Sequence, residues 1–285
     1  MFSQILLNGL FSSSIYCIVS LGLTLILGVM DIADFAQGGL YMVGAFIAFL
    51  TVHAWGFNFV SAICAAALFA ALIGIINNLL VYQPVMKRGA NSLIAALGVL
   101  LIMQNIALLV FGPDYQTFGL PFGRGQITIW SGAITIYKAT LILVACLLVP
   151  GVWFFLQSTT TGKAIRAISQ NKEGAAVVGI ALTKISIITF AIGAALVGTA
   201  GGLVSPIYAF DAHFGADIIV KAFTIVILGG LGSIRGAVVG ALIIGIGENM
   251  IAGYVSTEYS SLATFVLLII ILFVRPQGIF GSRAI

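Results

Sequence analysis

The sequence has 285 residues, of which 61% are hydrophobic and only 7% are Asp, Glu, Lys or Arg. Because soluble domains carry about 25% charged residues, this composition excludes a cytosolic enzyme and a disordered chain. The net charge of +4 comes from few charged residues, so it does not indicate a nucleic-acid partner. The apolar runs are continuous rather than alternating, which disfavours a β-barrel. We therefore predict an all-α polytopic integral membrane protein.

Apolar runs recur along the chain at the length of a membrane crossing. A helix needs about 20 apolar residues to cross a bilayer core of about 30 Å. We expect about eight transmembrane helices, with broken or re-entrant segments, in a single transmembrane domain over 1–285. A shorter run at 218–230 is either a ninth helix or a re-entrant half-helix. The eight runs are 5–30, 38–56, 58–82, 92–111, 135–156, 184–204, 237–252 and 261–274.

Lys and Arg are divided unequally between the two sets of loops, and the richer set is expected in the cytoplasm. This rule predicts a cytoplasmic C-terminus and makes 112–134 an external loop, while the threading of residues 1–39 stays open. The richer set holds Lys87, Arg88, Lys163, Arg166, Lys172, Lys184, Arg235, Arg275 and Arg283. The other set holds Arg124, Lys138 and Lys221.

The longest cytoplasmic loop, 157–184, has the pattern of one or two short amphipathic helices. Hydroxyl residues at 158–161 supply N-caps, and Ile165 and Ile168 recur at helical spacing. A break follows at 171–174, and a second apolar turn ends at Gly179. Two interpretations are open: a helix lying passively at the membrane interface, or a docking surface for a cytoplasmic partner.

The same loop contains Thr161-Gly162-Lys163, which is similar to the end of a phosphate-binding loop. The first glycine of that motif would fall at Gln157, and Ala164 replaces the hydroxyl residue that would hold magnesium. The Gly-rich run at 229–236 also lacks the last glycine of a dinucleotide-binding motif. Neither motif therefore binds ATP, and any energy from ATP must come from another subunit.

Two stretches, 31–39 and 205–217 together with 229–232, interrupt apolar helices with polar or flexible residues. Broken helices indicate a solute pathway in transporters, and ionisable residues inside a membrane are candidates for function. Those candidates also have structural explanations: a helix-end cap for Asp31 and Asp34, snorkelling for Lys221, and a hydrogen bond within the bundle for Glu248.

A row of small residues, Gly232, Gly236 and Gly240, is spaced by four. Such rows let helices approach closely in lipid, so we expect a close helix contact here, within the chain or across to a partner. No catalytic motif of a serine hydrolase or zinc protease is present. Two His and three scattered Cys do not have the spacing of a metal site. We therefore predict no catalytic residues, metal or cofactor.

Four segments resemble the permeases of branched-chain amino acid ABC importers. They are GLTLILGVMDIADFAQGGLYMVGAF at 22–46, TGKAIRAISQNKEGAAVVGI at 161–180, KAFTIVILGGLGSIRGAVVGALIIGIGE at 221–248 and RPQGIFG at 275–281. The chain is most similar to the shorter of the two permeases usually paired. The resemblance implies a multi-pass protein of the bacterial inner membrane that works by alternating access. It also implies a homologous permease, two ABC ATPase subunits and a periplasmic solute-binding protein as partners.

The resemblance further implies that the long loop carries a coupling helix that contacts the ATPase. Its loose E-A-A-x-x-x-G signature is matched with Gly174 in place of the first alanine. Family members often have the sequence N-F-A-H-G at the position of residues 34–38. This chain differs there, with Asp34 in place of the Asn and Gln37 in place of the His. The expected coupling residues are Gly162, Lys163, Ala164, Ile165, Arg166, Glu173, Gly174, Ala175 and Gly179. The hypothesised pathway residues are Asp34, Gln37, Gly38 and Lys221.

Alternatives to amino acids remain open at the level of sequence. The same machine could carry urea, short-chain amides or small carboxylates, and the partner permease could be identical or homologous. A stand-alone channel or a proton-coupled carrier is the competing class. It would need a selectivity filter or an intramembrane carboxylate relay, and the sequence has no N-P-A or T-V-G-Y-G segment.

Overall fold

The structure, a computed structural model, describes residues 2–123, 125–129, 132–275 and 278–280. Arg124, Arg283 and the C-terminal residue lie outside the described residues, as does part of the segment 275–281. The helices are α1 (Phe2–Met30), α2 (Ala36–His53), α3 (Phe59–Asn77), a π-helical turn (Asn78–Tyr82), α4 (Gln83–Lys87), α5 (Ser92–Phe111), α6 (Ile136–Ser158), α7 (Thr160–Gln170), α8 (Lys172–Val177), α9 (Leu182–Val204), α10 (Ala216–Gly229), α11 (Ile234–Tyr254) and α12 (Thr257–Val274).

Seven helices among the described residues are long and apolar enough to cross a membrane. The predicted all-α polytopic class is therefore confirmed. The run at 218–230 forms part of α10, which has 14 residues. At 1.5 Å per residue it is about 21 Å long, so it is a half-helix and too short to span by itself. The last expected span corresponds to α12, whose stretch Thr257–Ile270 is a shorter apolar helix.

The expected external loop 112–134 contains structure that its glycines and prolines did not indicate. Strands β1 (Gln126–Ile129) and β2 (Gly132–Thr135) form an antiparallel pair in which Ile127 faces Ile134. The pair is held to α1 because the Ala133 amide donates to Gln4 Oε1 at 2.8 Å. Short alternating segments give a weak pattern beside long apolar runs, and the strands were therefore missed.

The chain divides into two compact units, each built from separate stretches of sequence. The first unit comprises Met1–Thr24, Leu120–Trp153 and Val220–Ile285. The second unit comprises Leu25–Gly119 and Phe154–Ile219.

The second unit is centred on α2, α3 and α9, which pack against one another. Gly198 of α9 lies against Gly44 of α2 on one side and against Ala66 and Ala70 of α3 on the other. Any side chain at Gly44 would overlap the Gly198 backbone. Small residues therefore set the distance between these helices, as they do where lipid supplies no hydrophobic force between helices.

Close packing in the first unit also depends on glycine. A Cβ on Gly9 of α1 would lie 3.0 Å from the Ile246 Cα of α11, and one on Gly245 would overlap Ser13. Helices α1 and α11 therefore touch backbone to backbone over about one helical turn of α1.

Candidate functional site

The first helix break holds a buried carboxylate. Helix α1 ends at Met30, and Asp31 turns the chain with a positive φ of 56° before α2 begins at Ala36. Asp34 is 1% exposed. Its carboxylate accepts a hydrogen bond from the Ala36 amide at 3.0 Å and another from Gln37 Nε2 at 3.0 Å. Asp34 thus supplies, from a buried position, an acceptor for the first backbone amide of α2.

A third donor to Asp34 is the Tyr82 hydroxyl, from a residue 48 positions further along the chain. Tyr82 ends the π-helical turn, in which the Gln83 amide donates to the carbonyl of Asn78, five residues earlier. A π-turn holds one extra residue in the helix, and such turns are frequent at functional sites. We call Asp34, Gln37 and Tyr82 the Asp34 cluster.

The π-turn is held to α9 by side chains on both helices. Asn78 is fully buried, and its Nδ2 donates to Ser186 Oγ at 2.7 Å. The Tyr82 ring packs on Phe190 with ring centroids 5.1 Å apart. These contacts fix the rotation of the turn and so direct the Tyr82 hydroxyl to Asp34.

Gly38 lies where two helix breaks meet. A Cβ on Gly38 would lie 2.7 Å from the carbonyl oxygen of Gly215 and 3.1 Å from Ile219. The second break was predicted over 205–217; in the structure it covers 205–215, because α10 begins at Ala216, and Gly215 is its last residue. The structure thus brings Asp34, Gln37 and Gly38 together, and it sets them against the second break.

Lys221 belongs to the first unit and has other partners. Its Nζ forms an ion pair with Glu248 of α11 and lies 3.2 Å from the hydroxyl of Tyr16 on α1. The Tyr16 hydroxyl donates to the other carboxylate oxygen of Glu248 at 2.6 Å. The Lys221 side chain is 20% exposed and that of Glu248 is 9% exposed. We call Lys221, Glu248 and Tyr16 the Lys221 triad.

The loop after α6 folds as two short helices with well-formed starts. The Thr159 hydroxyl accepts from the Gly162 amide at 2.9 Å, and the Asn171 side chain accepts from the Gly174 amide at 2.8 Å. Gly179 ends the segment with a positive φ of 85°. The expected short helices are therefore present as α7 and α8, and Asn171 alone separates them. We call Thr160–Gly179 the loop segment.

One side of the loop segment is buried within the second unit. A Cβ on Gly162 would overlap the backbone of Phe155 and Leu156 at the end of α6. The opposite side is exposed, and it ends in Val177 and Val178 at 87% and 76% exposure. Among the expected coupling residues, Gly162, Ile165 and Ala175 are buried, Ala164 and Arg166 are intermediate, and Lys163, Glu173, Gly174 and Gly179 are exposed.

The three glycines expected to pack helices occupy two environments. Gly236 of α11 lies against the backbone of Gly229 of α10, and a Cβ on Gly240 would lie 2.8 Å from the Ile225 carbonyl oxygen. Both contacts are within the chain. Gly232 instead lies in the turn before α11 and has a φ of 77°. Close approach of α10 and α11 therefore involves Gly236 and Gly240.

Several residues of these clusters were missed from the sequence. Tyr82 belongs to the Asp34 cluster, and the hydrogen bond between Asn78 and Ser186 holds the π-helical turn that positions it. Tyr16 is the third member of the Lys221 triad. The signal available for Asn78 was an Asn pair at 77–78 inside an otherwise apolar run. No group of three or more His, Cys, Asp or Glu that could hold a metal occurs in the described part of the chain.

Multiple apolar spans, broken helices that meet at glycines and buried ionisable clusters define this chain as a multi-pass membrane permease. A family described as "Branched-chain amino acid transport system / permease component" matches residues 5–272. The chain belongs to this family.

Relatives in several organisms share nearly the full length of the chain. It is 33% identical to the high-affinity branched-chain amino acid transport system permease protein LivH of Escherichia coli, over 98% of this chain and 96% of that protein. It is 32% identical to the corresponding permease BraD of Pseudomonas aeruginosa, over 98% and 95%. It is 28% identical to the permease LivM of Salmonella typhimurium, over 93% of this chain and 67% of that longer protein.

Proposed function

We propose that this chain is the transmembrane permease subunit of an ATP-driven importer for branched-chain or other hydrophobic amino acids. Its full-length similarity to LivH and BraD supports the solute class. Its weaker similarity to the longer LivM supports a homologous permease as its partner. Two ABC ATPases and a periplasmic binding protein complete the proposed machine. Its location is the bacterial inner membrane, with a cytoplasmic C-terminus.

The observation that supports coupling to an ATPase is that the loop segment has one buried side and one exposed side. An exposed apolar pair at the end of a short capped helix is typical of a docking surface. Val177 and Val178 form such a pair, and charged Lys163 and Glu173 are exposed on the same segment. A membrane-interface helix would also expose apolar residues, so the two interpretations must be separated by experiment.

The attachment of the loop segment suits it to transmit movement. Gly162 lies against α6 without room for a side chain, and Ile165 and Ile168 are buried in the same unit. A push on the exposed side therefore moves the segment and the end of α6 together. Alternating access requires such an element, because its position must differ between two states.

The test is a tagged purification of the chain from its native membrane, followed by identification of the co-purifying proteins. Wild type is compared with Val177→Ser and with Val255→Ser, a 70% exposed valine outside the loop segment. We expect an ATPase with wild type and Val255→Ser, and at least a tenfold lower ATPase yield with Val177→Ser, because one lost apolar contact costs roughly 1.5–3 kcal/mol. Equal yields from all three would contradict docking at this position.

The solute is tested with the purified complex in vesicles that contain ATP. Leucine uptake is competed with valine, urea, acetamide and butyrate. Competition by valine alone supports the proposed solute class. Uptake that persists without ATP and stops with a protonophore would instead favour a proton-coupled carrier.

A further inference from the structure

The Asp34 carboxyl group is buried and has no positively charged partner among the described residues. Its three hydrogen bonds come from neutral donors: the Ala36 amide, the Gln37 amide group and the Tyr82 hydroxyl. The two ion pairs found among the described residues are Lys221–Glu248 and His213–Asp211. A buried charge is costly unless it is paired, so this carboxylate is suited to a cation that arrives from outside.

Beside it lies a second acceptor that is open to a partner. Gln37 is 0% exposed, and its Oε1 has no hydrogen-bond partner. Its Nε2 donates a hydrogen bond to Asp34. This bond fixes the orientation of the side-chain amide, so the atom available to a ligand is Oε1. A buried acceptor with no donor calls for an explanation, such as a role in binding.

The two acceptors stand at the meeting point of both helix breaks. Gly38, the next residue after Gln37, touches the backbone of Gly215 at the end of the 205–215 stretch. Discontinuous helices bind solutes in transporters because unwound backbone and nearby polar groups meet there. The position thus adds an independent indication of a solute site to the unpaired acceptors.

We propose that Asp34 and Gln37 form the acceptor side of a solute site, where they bind the α-ammonium group of the transported amino acid. An ammonium carries three N–H donors and a positive charge. It satisfies the Gln37 oxygen and balances the Asp34 charge at once. A neutral amide supplies donors without the charge, and a carboxylate that lacks an amino group is repelled. This inference rests on the proposed function and specifies which part of the solute is recognised.

The test uses the complete importer complex with its binding protein, reconstituted in vesicles with ATP inside, and measures the KM of leucine uptake. The variants are Asp34→Asn, which removes the charge, and Gln37→Met, which removes the acceptor at similar volume. The matched control is Gln104→Met, a 7% exposed glutamine of α5 in the same unit. Each site variant should raise the KM about tenfold or more, as loss of a charged hydrogen bond does. The control should stay within about twofold of wild type.

A second arm uses wild-type complex only, and so does not depend on the folding of a variant. Leucine uptake is competed with 3-methylbutylamine, which is leucine without its carboxylate, and with 4-methylpentanoate, which is leucine without its amino group. The affinity of the binding protein for each competitor is measured separately, and the inhibition of leucine uptake is corrected for it. We expect competition by the amine and none by the carboxylate.

The outcomes separate this inference from the proposed function. Leucine uptake with unchanged KM in both variants, or competition by 4-methylpentanoate alone, overturns the acceptor site and leaves the importer intact. Uptake of urea instead of leucine overturns both the proposed solute and the recognition of an ammonium group, whatever the KM of the variants. Uptake of butyrate unaffected by either variant overturns both.

Discussion

Replacement of Lys221 by Met is expected to destabilise the protein strongly. The change removes the cation and keeps most of the side-chain volume. Glu248 then keeps its hydrogen bond from Tyr16 at 2.6 Å and loses its counter-charge. The carboxylate remains 9% exposed, so water does little to replace the lost ammonium.

The magnitude follows from the burial of both partners. Breaking a buried ion pair by removing one member costs about 3–5 kcal/mol, because an uncompensated charge stays buried. At about 2–4 °C per kcal/mol for a chain of this size class, the midpoint of thermal unfolding should fall by on the order of 10 °C. Replacing both charges removes the penalty, so Lys221→Met with Glu248→Leu should recover most of the loss.

The assay is thermal unfolding of the detergent-purified complex, followed by the fraction that remains monodisperse after heating. A single variant within about 1 kcal/mol of wild type, or a double variant as unstable as the single one, would refute the reasoning. Leucine uptake by the double variant separates two roles of Lys221. A stable but inactive double variant would place this lysine in the solute pathway.

Two further predictions concern packing in the second unit. Gly44→Ala should lower the yield of folded protein and cost about 1–3 kcal/mol through overlap with Gly198, whereas Gly98→Ala, with open space around it, should match wild type; equal yields would contradict the close contact. Asn78→Ala should cost about 1–3 kcal/mol because Ser186 loses its buried donor, and adding Ser186→Ala should cost little more; additive losses in thermal unfolding would count against the pair.

The membrane spans were predictable because lipid forces each crossing to be a continuous apolar helix. The break at Asp31 and the end of the loop segment at Gly179 were also visible, since special backbone conformations select particular residues. The partners in the clusters were not visible. Lys221 meets Tyr16, 205 residues away, and no local pattern encodes such a pairing. Tyr82 was hidden in an apolar run because its role depends on the π-turn before it.

The π-helical turn has a consequence for how such sites change over evolution. The wider turn between Asn78 and Tyr82 accommodates one extra residue. Loss of a single codon there would restore a regular helix with little rotation of the residues that follow it. If the lost residue were Tyr82 itself, the hydroxyl that donates to Asp34 would disappear with it. The hydroxyl that accompanies the buried carboxylate can thus be gained or lost in one genetic step, with the surrounding bundle left in place.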